Sequence, residues 1–171
     1  MISEEELIKR CKNNDRVAQK ELFDIYSGKM MAICLRYCKN QEDAKDLLQD
    51  GFYKVLTKIK SFKGQSKLET WMTRIFINLS LNSFRHGRKK YYHSELDDNI
   101  REEEEELTEV RDPKRVVMAL KELPDIYRIV INMYAIDGLT HKEISAMLGI
   151  SEGSSKSRLS RARKLLNDKL K

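Results

Sequence analysis

Helix starts recur along this chain, and little in it can break a helix once begun. Ser3 precedes Glu6, Ser66 precedes Glu69 and Thr140 precedes Glu143, each a hydroxyl three residues ahead of a glutamate. That spacing predicts a capping box, in which hydroxyl and carboxylate each take up an amide that the helix leaves unpaired. Asn40 leads into Gln41-Glu42-Asp43, an acidic first turn suited to the positive end of a helix. Pro113 and Pro124 are expected at first helical positions, where a missing N–H costs nothing. Against these starts, 171 residues hold only 7 glycines and 2 prolines. We therefore expect an all-α protein with helices near 4–13, 16–38, 41–60, 67–86, 113–121, 124–136, 140–147 and 151–169.

Apolar residues recur at helical spacing in two separate groups. The first is Leu22, Phe23, Ile25, Tyr26, Met30, Ile33, Cys34, Tyr37, Leu47, Leu48, Phe52, Val55, Leu56, Ile59, Trp71, Ile75, Phe76 and Leu79. The second is Val117, Leu120, Leu123, Ile129, Val130, Met133, Tyr134, Ile144, Met147, Leu148, Ile150, Leu159, Ala162 and Leu166. Between them runs ELDDNIREEEEELTE, residues 95–109, a block of like charge that favours an extended, solvated chain. The expected organisation is two small helical domains, 1–86 and 113–171, joined by an acidic flexible linker, 87–112. An acidic helix face within a single domain is the alternative, but its apolar spacing is too thin to anchor a core.

The formal charge of +6 fits a polyanionic partner, and its distribution sharpens that reading. From Ser151 to Lys171 the only acids are Glu152 and Asp168. The three cysteines are odd in number and not densely spaced, which points to reduced thiols. The N-terminus is acidic, without a secretory apolar run, and no stretch approaches a membrane span. These features place the protein in the cytoplasm, with no membrane insertion.

Residues 139–164 have the layout of a helix-turn-helix. Thr140 caps a short helix, HKEISAML, and Gly149 supplies a left-handed turn residue. Ile150 plugs the corner and Ser151 caps the second helix, which buries Leu159, Ala162 and Leu166. Its other side carries Ser154, Lys156, Ser157, Ser160, Arg161 and Lys164. Short hydroxyls allow close approach to a groove, Arg can fork onto guanine O6 and N7, and Lys neutralises phosphate. A solvated basic helix on an ordinary bundle is the plainer reading of the charges; the capped helix and glycine turn ahead of it favour DNA. A membrane-surface or calmodulin-like role is disfavoured by the narrow apolar face.

Three blocks in order then carry a family resemblance. They are QKELFDIYSGKMMAICLRYCKNQEDAKDLLQDGFYKVL, SFKGQSKLETWMTRIFINLSLNSFR and MALKELPDIYRIVINMYAIDGLTHKEISAMLGISEGSSKSRLSRARKLL. Together they resemble the bacterial extracytoplasmic-function (ECF) sigma factors, the two-domain promoter-recognition subunits of RNA polymerase in the sigma-70 superfamily. The resemblance covers nearly the whole chain. It implies a protein that binds core RNA polymerase and promoter DNA, directs transcription initiation, and is regulated by an anti-sigma protein. No catalytic activity and no cofactor are implied.

The resemblance also assigns residues. Asp43, Asp46, Leu47, Gln49 and Phe52 fall where the family docks on the clamp helices of the polymerase's largest subunit. The residues agree with an acidic stripe beside apolar anchors, although a solvated face over a core explains the charges equally well. Lys63, Gly64, Gln65 and Ser66 fall in the loop that captures a flipped base of the −10 element, with Arg74 and Asn78 beyond it facing the melted strand. An ordinary capped turn fits that loop too, and Trp71 reads as core. Arg85, Arg88, Lys89 and Lys90, with Tyr91 and Tyr92, suit backbone binding and base stacking, or the start of a basic linker. Gly153, Ser154, Lys156, Ser157, Ser160 and Arg161 fall on the −35-reading positions. Here the chain departs from the family, which usually has Thr-Val where this chain has Ser154-Ser155. Loss of the valine is expected to remove buried methyls and soften the helix start. The Glu102–Glu106 run suggests a linker that mimics RNA in the polymerase's exit path. Replacing those glutamates with serine, with promoter output and abortive synthesis unchanged, would sink that idea.

Other chemistry is weakly supported. There is no glycine-rich phosphate loop. Cys34 and Cys38 have the spacing for a metal or redox pair, but His86, His93 and His141 are scattered, so buried thiols are the expected state. The rival function is a dimeric helix-turn-helix regulator that binds symmetric operators without being a polymerase subunit.

Overall fold

The computed structural model describes residues 2–87 and 113–171, and all regular structure among them is helical. In order these are α1 (Glu4–Lys12), α2 (Arg16–Tyr37), α3 (Gln41–Lys58) with a 3₁₀ turn (Ile59–Ser61), α4 (Leu68–Gly87), α5 (Pro113–Lys121), α6 (Asp125–Ile131) continuing as a π-helical turn (Asn132–Ile136), α7 (His141–Leu148) and α8 (Glu152–Leu170). They form two compact units that divide between His86 and Gly87. Residues 88–112, with the acidic run and the candidates Arg88, Lys89, Lys90, Tyr91 and Tyr92, lie outside the described residues.

The helix starts follow from local capping. The Ser3 hydroxyl accepts from the Glu6 amide at 3.2 Å, and Asn40 Oδ1 accepts from the Asp43 amide at 2.8 Å. Thr140 and Glu143 form both halves of a capping box. Asp15, which follows Asn14 in a left-handed conformation, caps α2 by accepting from the Val17 and Ala18 amides. Two expected starts shift. Pro124 is the cap residue of α6, one position ahead of the first helical residue. At Ser66 the hydroxyl donates to the Lys67 carbonyl, and the Glu69 carboxylate accepts from Lys29 at 2.6 Å. The helix begins at Leu68 instead, with Lys67 supplying the first carbonyl.

In the first unit, α2 packs against α3 and α1 lies on α2. The buried stripe of α2 is Ala18, Leu22, Tyr26, Met30, Ile33, Cys34 and Tyr37, which keep to one face of the helix. Phe23 and Ile25, expected in the core, are 41% and 47% exposed because they lie off that stripe. The core is completed by residues the periodicity passed over, including Leu7, Cys11, Ala44, Phe62, Leu68, Met72 and Ile77. Trp71 is half-buried and packs at a tilt against Phe62, with ring centroids 5.1 Å apart. Gly51 is buried inside α3, where a Cβ would run into the Phe76 ring. Glycine costs about 1 kcal/mol in a helix interior, and here it permits close approach of α3 and α4. The Tyr26 hydroxyl donates to the Glu4 carboxylate at 2.7 Å, tying α1 to α2. Burial, then the Glu4 carboxylate, pushes the Tyr26 phenol up.

Cys34 is fully buried, and burial pushes its thiol up to about 12. Cys11 is buried and shifted the same way, while Cys38 is partly exposed. All three are free thiols. A thiol held that high is not a nucleophile at neutral pH.

In the second unit α8 is the central element, packed by α5, α6 and α7. Leu123, Ile129, Val130, Met133, Ile144, Leu148, Leu159, Ala162 and Leu166 form the core. Val117 and Tyr134 from the expected core are exposed. Arg128 is buried and pairs with Asp125 at 2.8 Å. Two residues past the π-helical turn, Gly138 at φ +69° redirects the chain toward α7.

Candidate nucleic-acid interface

In the second unit, α7 ends at Gly149 with φ 69° and ψ 36°, the left-handed cap that glycine adopts without Cβ strain. Ile150 is half-buried at the corner, and the Ser151 hydroxyl accepts from the Ser154 amide at 3.0 Å to start α8. The buried face of α8 holds Ser155, Leu159, Ala162, Leu166 and Leu170. Gly153 and Lys156 are exposed, and Ser154, Ser160 and Arg161 are half-buried. Ser157 is also half-buried, but its hydroxyl oxygen is covered from solvent. The helix therefore presents small groups and two cations along one accessible side, a surface that suits the major groove.

The departure at Ser155 has a structural answer. This residue is 0% exposed, and its Oγ shares a hydrogen bond of 2.9 Å with His141 Nδ1. The buried hydroxyl is thus satisfied from the first residue of α7. The His141 ring stacks on Tyr134, centroids 4.6 Å apart, and the Arg163 guanidinium lies 5.8 Å from the Tyr134 centroid. None of these three contacts was legible in the spacing, because the partners sit on different elements.

In the first unit, Lys63, Gly64, Gln65 and Ser66 are all exposed between the 3₁₀ turn and α4. Gly64 is left-handed at φ +71°, which makes this loop a tight turn with open space at its apex. Phe62 anchors its entry, 6% exposed, and the Phe62 carbonyl accepts from Lys12 Nζ at 2.8 Å. Arg74 and Asn78 are exposed one helical turn apart on α4. The loop and this helix face are open to solvent.

On α3, Asp43, Asp46, Gln49 and Asp50 are exposed. Leu47 and Phe52 are 7% and 5% exposed, so they stand beneath the stripe as core. The exposed apolar surface comes from residues not singled out for it: Tyr53 on α3, 71% exposed, and Phe23 on α2, which packs on Phe52 at 4.7 Å. Tyr53 follows Gln49 by one turn, and that spacing was the available signal.

Comparison with known proteins gives this geometry its context. Residues 22–90 match Sigma-70 region 2 and residues 114–166 match Sigma-70 region 4. The ECF RNA polymerase sigma factor SigW of Bacillus subtilis is 29% identical, over 96% of this chain and 95% of that protein. The ECF RNA polymerase sigma-E factor of Escherichia coli K12 is 26% identical, over 99% and 95%. The sigma factor RpoE of Bartonella quintana, solved in complex with the anti-sigma factor NepR, superposes at a TM-score of 0.58 with 25% identity, over 88% of this chain and 95% of that one. CnrH, solved with the cytosolic domain of CnrY, shares the fold at a TM-score of 0.55, with 22% identity over 95% and 93%.

Two sigma-70 regions in order, one on each helical unit, define a promoter-recognition subunit of RNA polymerase. Such a protein binds core polymerase and directs it to promoter DNA, where transcription begins. Within that class, the chain belongs to the extracytoplasmic-function sigma factors. The free-standing dimeric regulator is not favoured, since region 2 has no place in it.

Proposed function

We propose that the two units divide promoter reading between them. The second unit reads the −35 element through Gly153, Ser154, Lys156, Ser157, Ser160 and Arg161. The first unit holds the −10 element at Lys63, Gly64, Gln65 and Ser66, with Arg74 and Asn78 facing the separated strand. Core polymerase docks on the α3 stripe of Asp43, Asp46 and Gln49, which Leu47 and Phe52 hold in place from below. The observation that carries this reading is the match of region 2 to the exposed loop and stripe and of region 4 to the helix-turn-helix.

The division makes physical sense. Each unit alone would bind DNA weakly. Mounting both on polymerase makes the second contact intramolecular and raises its effective concentration. The chemistry of RNA synthesis belongs to the polymerase, and this chain is not an enzyme. It works in the cytoplasm beside the polymerase, and no described helix is long and apolar enough to cross a membrane. An anti-sigma protein covering the polymerase-docking faces is the expected regulator, supported by the anti-sigma complex of the Bartonella relative.

Transcription with purified core polymerase on a pool of genomic fragments tests the reading. Discrete new start sites sharing two upstream elements are expected. Arg161→Ala should then shift preference at particular −35 bases, by about 1–3 kcal/mol if the contact is bidentate. Absence of new starts with folded chain and competent polymerase would overturn it.

A further inference from the structure

Ser155 lies on the same buried face of α8 as Leu159, Ala162 and Leu166, where a hydrocarbon side chain would be the default. A buried hydroxyl is tolerated because His141 bonds it at 2.9 Å. An apolar contact at this seam would hold the helices together but allow them to slide, since dispersion and burial are not directional. A hydrogen bond is directional, and it fixes the rotation of α8 about its own axis. The His141 ring is itself held by its stack on Tyr134, and Arg163, two turns along α8 from Ser155, lies over the same Tyr134 ring. The recognition helix is thus tied at two points to a single aromatic pair on other elements.

We propose that His141 is a positioning residue for DNA reading, acting through Ser155 to set the rotation at which α8 presents Ser154, Lys156, Ser160 and Arg161 to the bases. This rests on the reading of α8 as the −35 helix. Base readout needs groups held within about 0.5 Å and 10–20°, so a small rotation blurs discrimination between bases before it abolishes binding. His141 contacts no base in this scheme. The capping carboxylate of Glu143, which accepts from Thr140 beside it, makes the start of α7 a poor seat for a phosphate.

The test uses the full chain with core polymerase on templates carrying single-base changes in either promoter element. His141→Leu leaves the buried Ser155 hydroxyl without the bond it makes here, and Ser155→Val removes the hydroxyl that His141 Nδ1 bonds. Each should lower the preference for the best −35 base by about three- to tenfold, the worth of one hydrogen bond, while preference within the −10 element is unchanged. The double variant His141→Leu/Ser155→Val restores an apolar seam, so its loss should be smaller than the sum of the two singles. A merely structural role would lower output on all templates together, and that result, or strict additivity, overturns the proposal. Arg161→Ala separates the two readings. If it leaves −35 preference intact, α8 is not the reading helix; if it shifts preference while the His141 and Ser155 variants do not, only the positioning role fails. Should His141→Leu lose its helical signal, the comparison of Ser155→Val with the double variant decides the matter alone.

Discussion

Lys12, on the first helix, donates to the backbone carbonyl of Phe62 at 2.8 Å, across fifty residues of chain. That carbonyl stands at the entry of the exposed loop before α4. The region 2 match begins at residue 22, beyond α1, yet α1 is what holds the loop's near end. The Phe62 ring is held in turn by Trp71.

Lys12→Met should therefore loosen the loop without unfolding the unit. Hydrogen bonds from charged donors contribute about 1.5–3 kcal/mol when covered, and this one is only part-buried, so a loss near the lower figure is expected. Trp71, the sole tryptophan, reports on the site directly. Its emission should shift, and the urea midpoint read from it should fall.

Two glycines should respond in opposite directions. Gly51→Ala drives a Cβ into the buried Phe76 ring and should cost about 3 kcal/mol or more. Gly28→Ala on α2 meets open space, and should stabilise by about 0.5–1 kcal/mol through helix propensity. Urea denaturation followed at Trp71 measures both.

The Asp125–Arg128 pair in the second unit has side chains 13% and 5% exposed. Removing one member of such a pair leaves a buried charge uncompensated, and Asp125→Ala should cost about 3 kcal/mol or more. Hydrogen exchange at Ile129 to Met133 should accelerate, while exchange in α2 should stay as it was.

Asp15 gives the first unit an acid dependence of known sign. The Arg10 side-chain hydrogen bond, followed by the Ala18 amide, holds its carboxyl below the ordinary 3.8. The unfolded chain therefore takes up a proton before the folded one does. The stabilisation is fully present above pH 3.8 and declines as pH falls through the lowered folded value. Asp15→Asn keeps a cap on α2 but not the charge, so its melting temperature should fall less steeply below pH 4. An unchanged slope would show that other carboxylates set the acid limb.

Most helix starts could be read from the residues because capping acts over three positions. Ser3, Asn40, Thr140 and Ser151 find their amides within their own first turn, and Gly149 ends α7 by its own backbone freedom. Ser66 had the same spacing and did not form the box, because Glu69 is drawn to Lys29 forty residues away. Periodicity found the stripes but not their edges. Phe23 and Ile25 are as apolar as Leu22, yet only packing against α3 decides which of them faces inward. Leu47 and Phe52 read both as core by periodicity and as docking anchors by resemblance; they lie in the core, leaving Tyr53 outside.

The residues by themselves determined an all-helical chain, the position of nearly every helix, the helix-turn-helix and, through three ordered blocks, the sigma family. All of these rest on interactions within a few residues or on patterns along the chain. Only the tertiary structure decided that Lys12 holds the Phe62 carbonyl, that Gly51 admits the Phe76 ring, and that the buried Ser155 hydroxyl is bonded by His141. Each joins residues from different helices. Such pairings depend on how the helices cross and rotate against one another, which no single helix encodes.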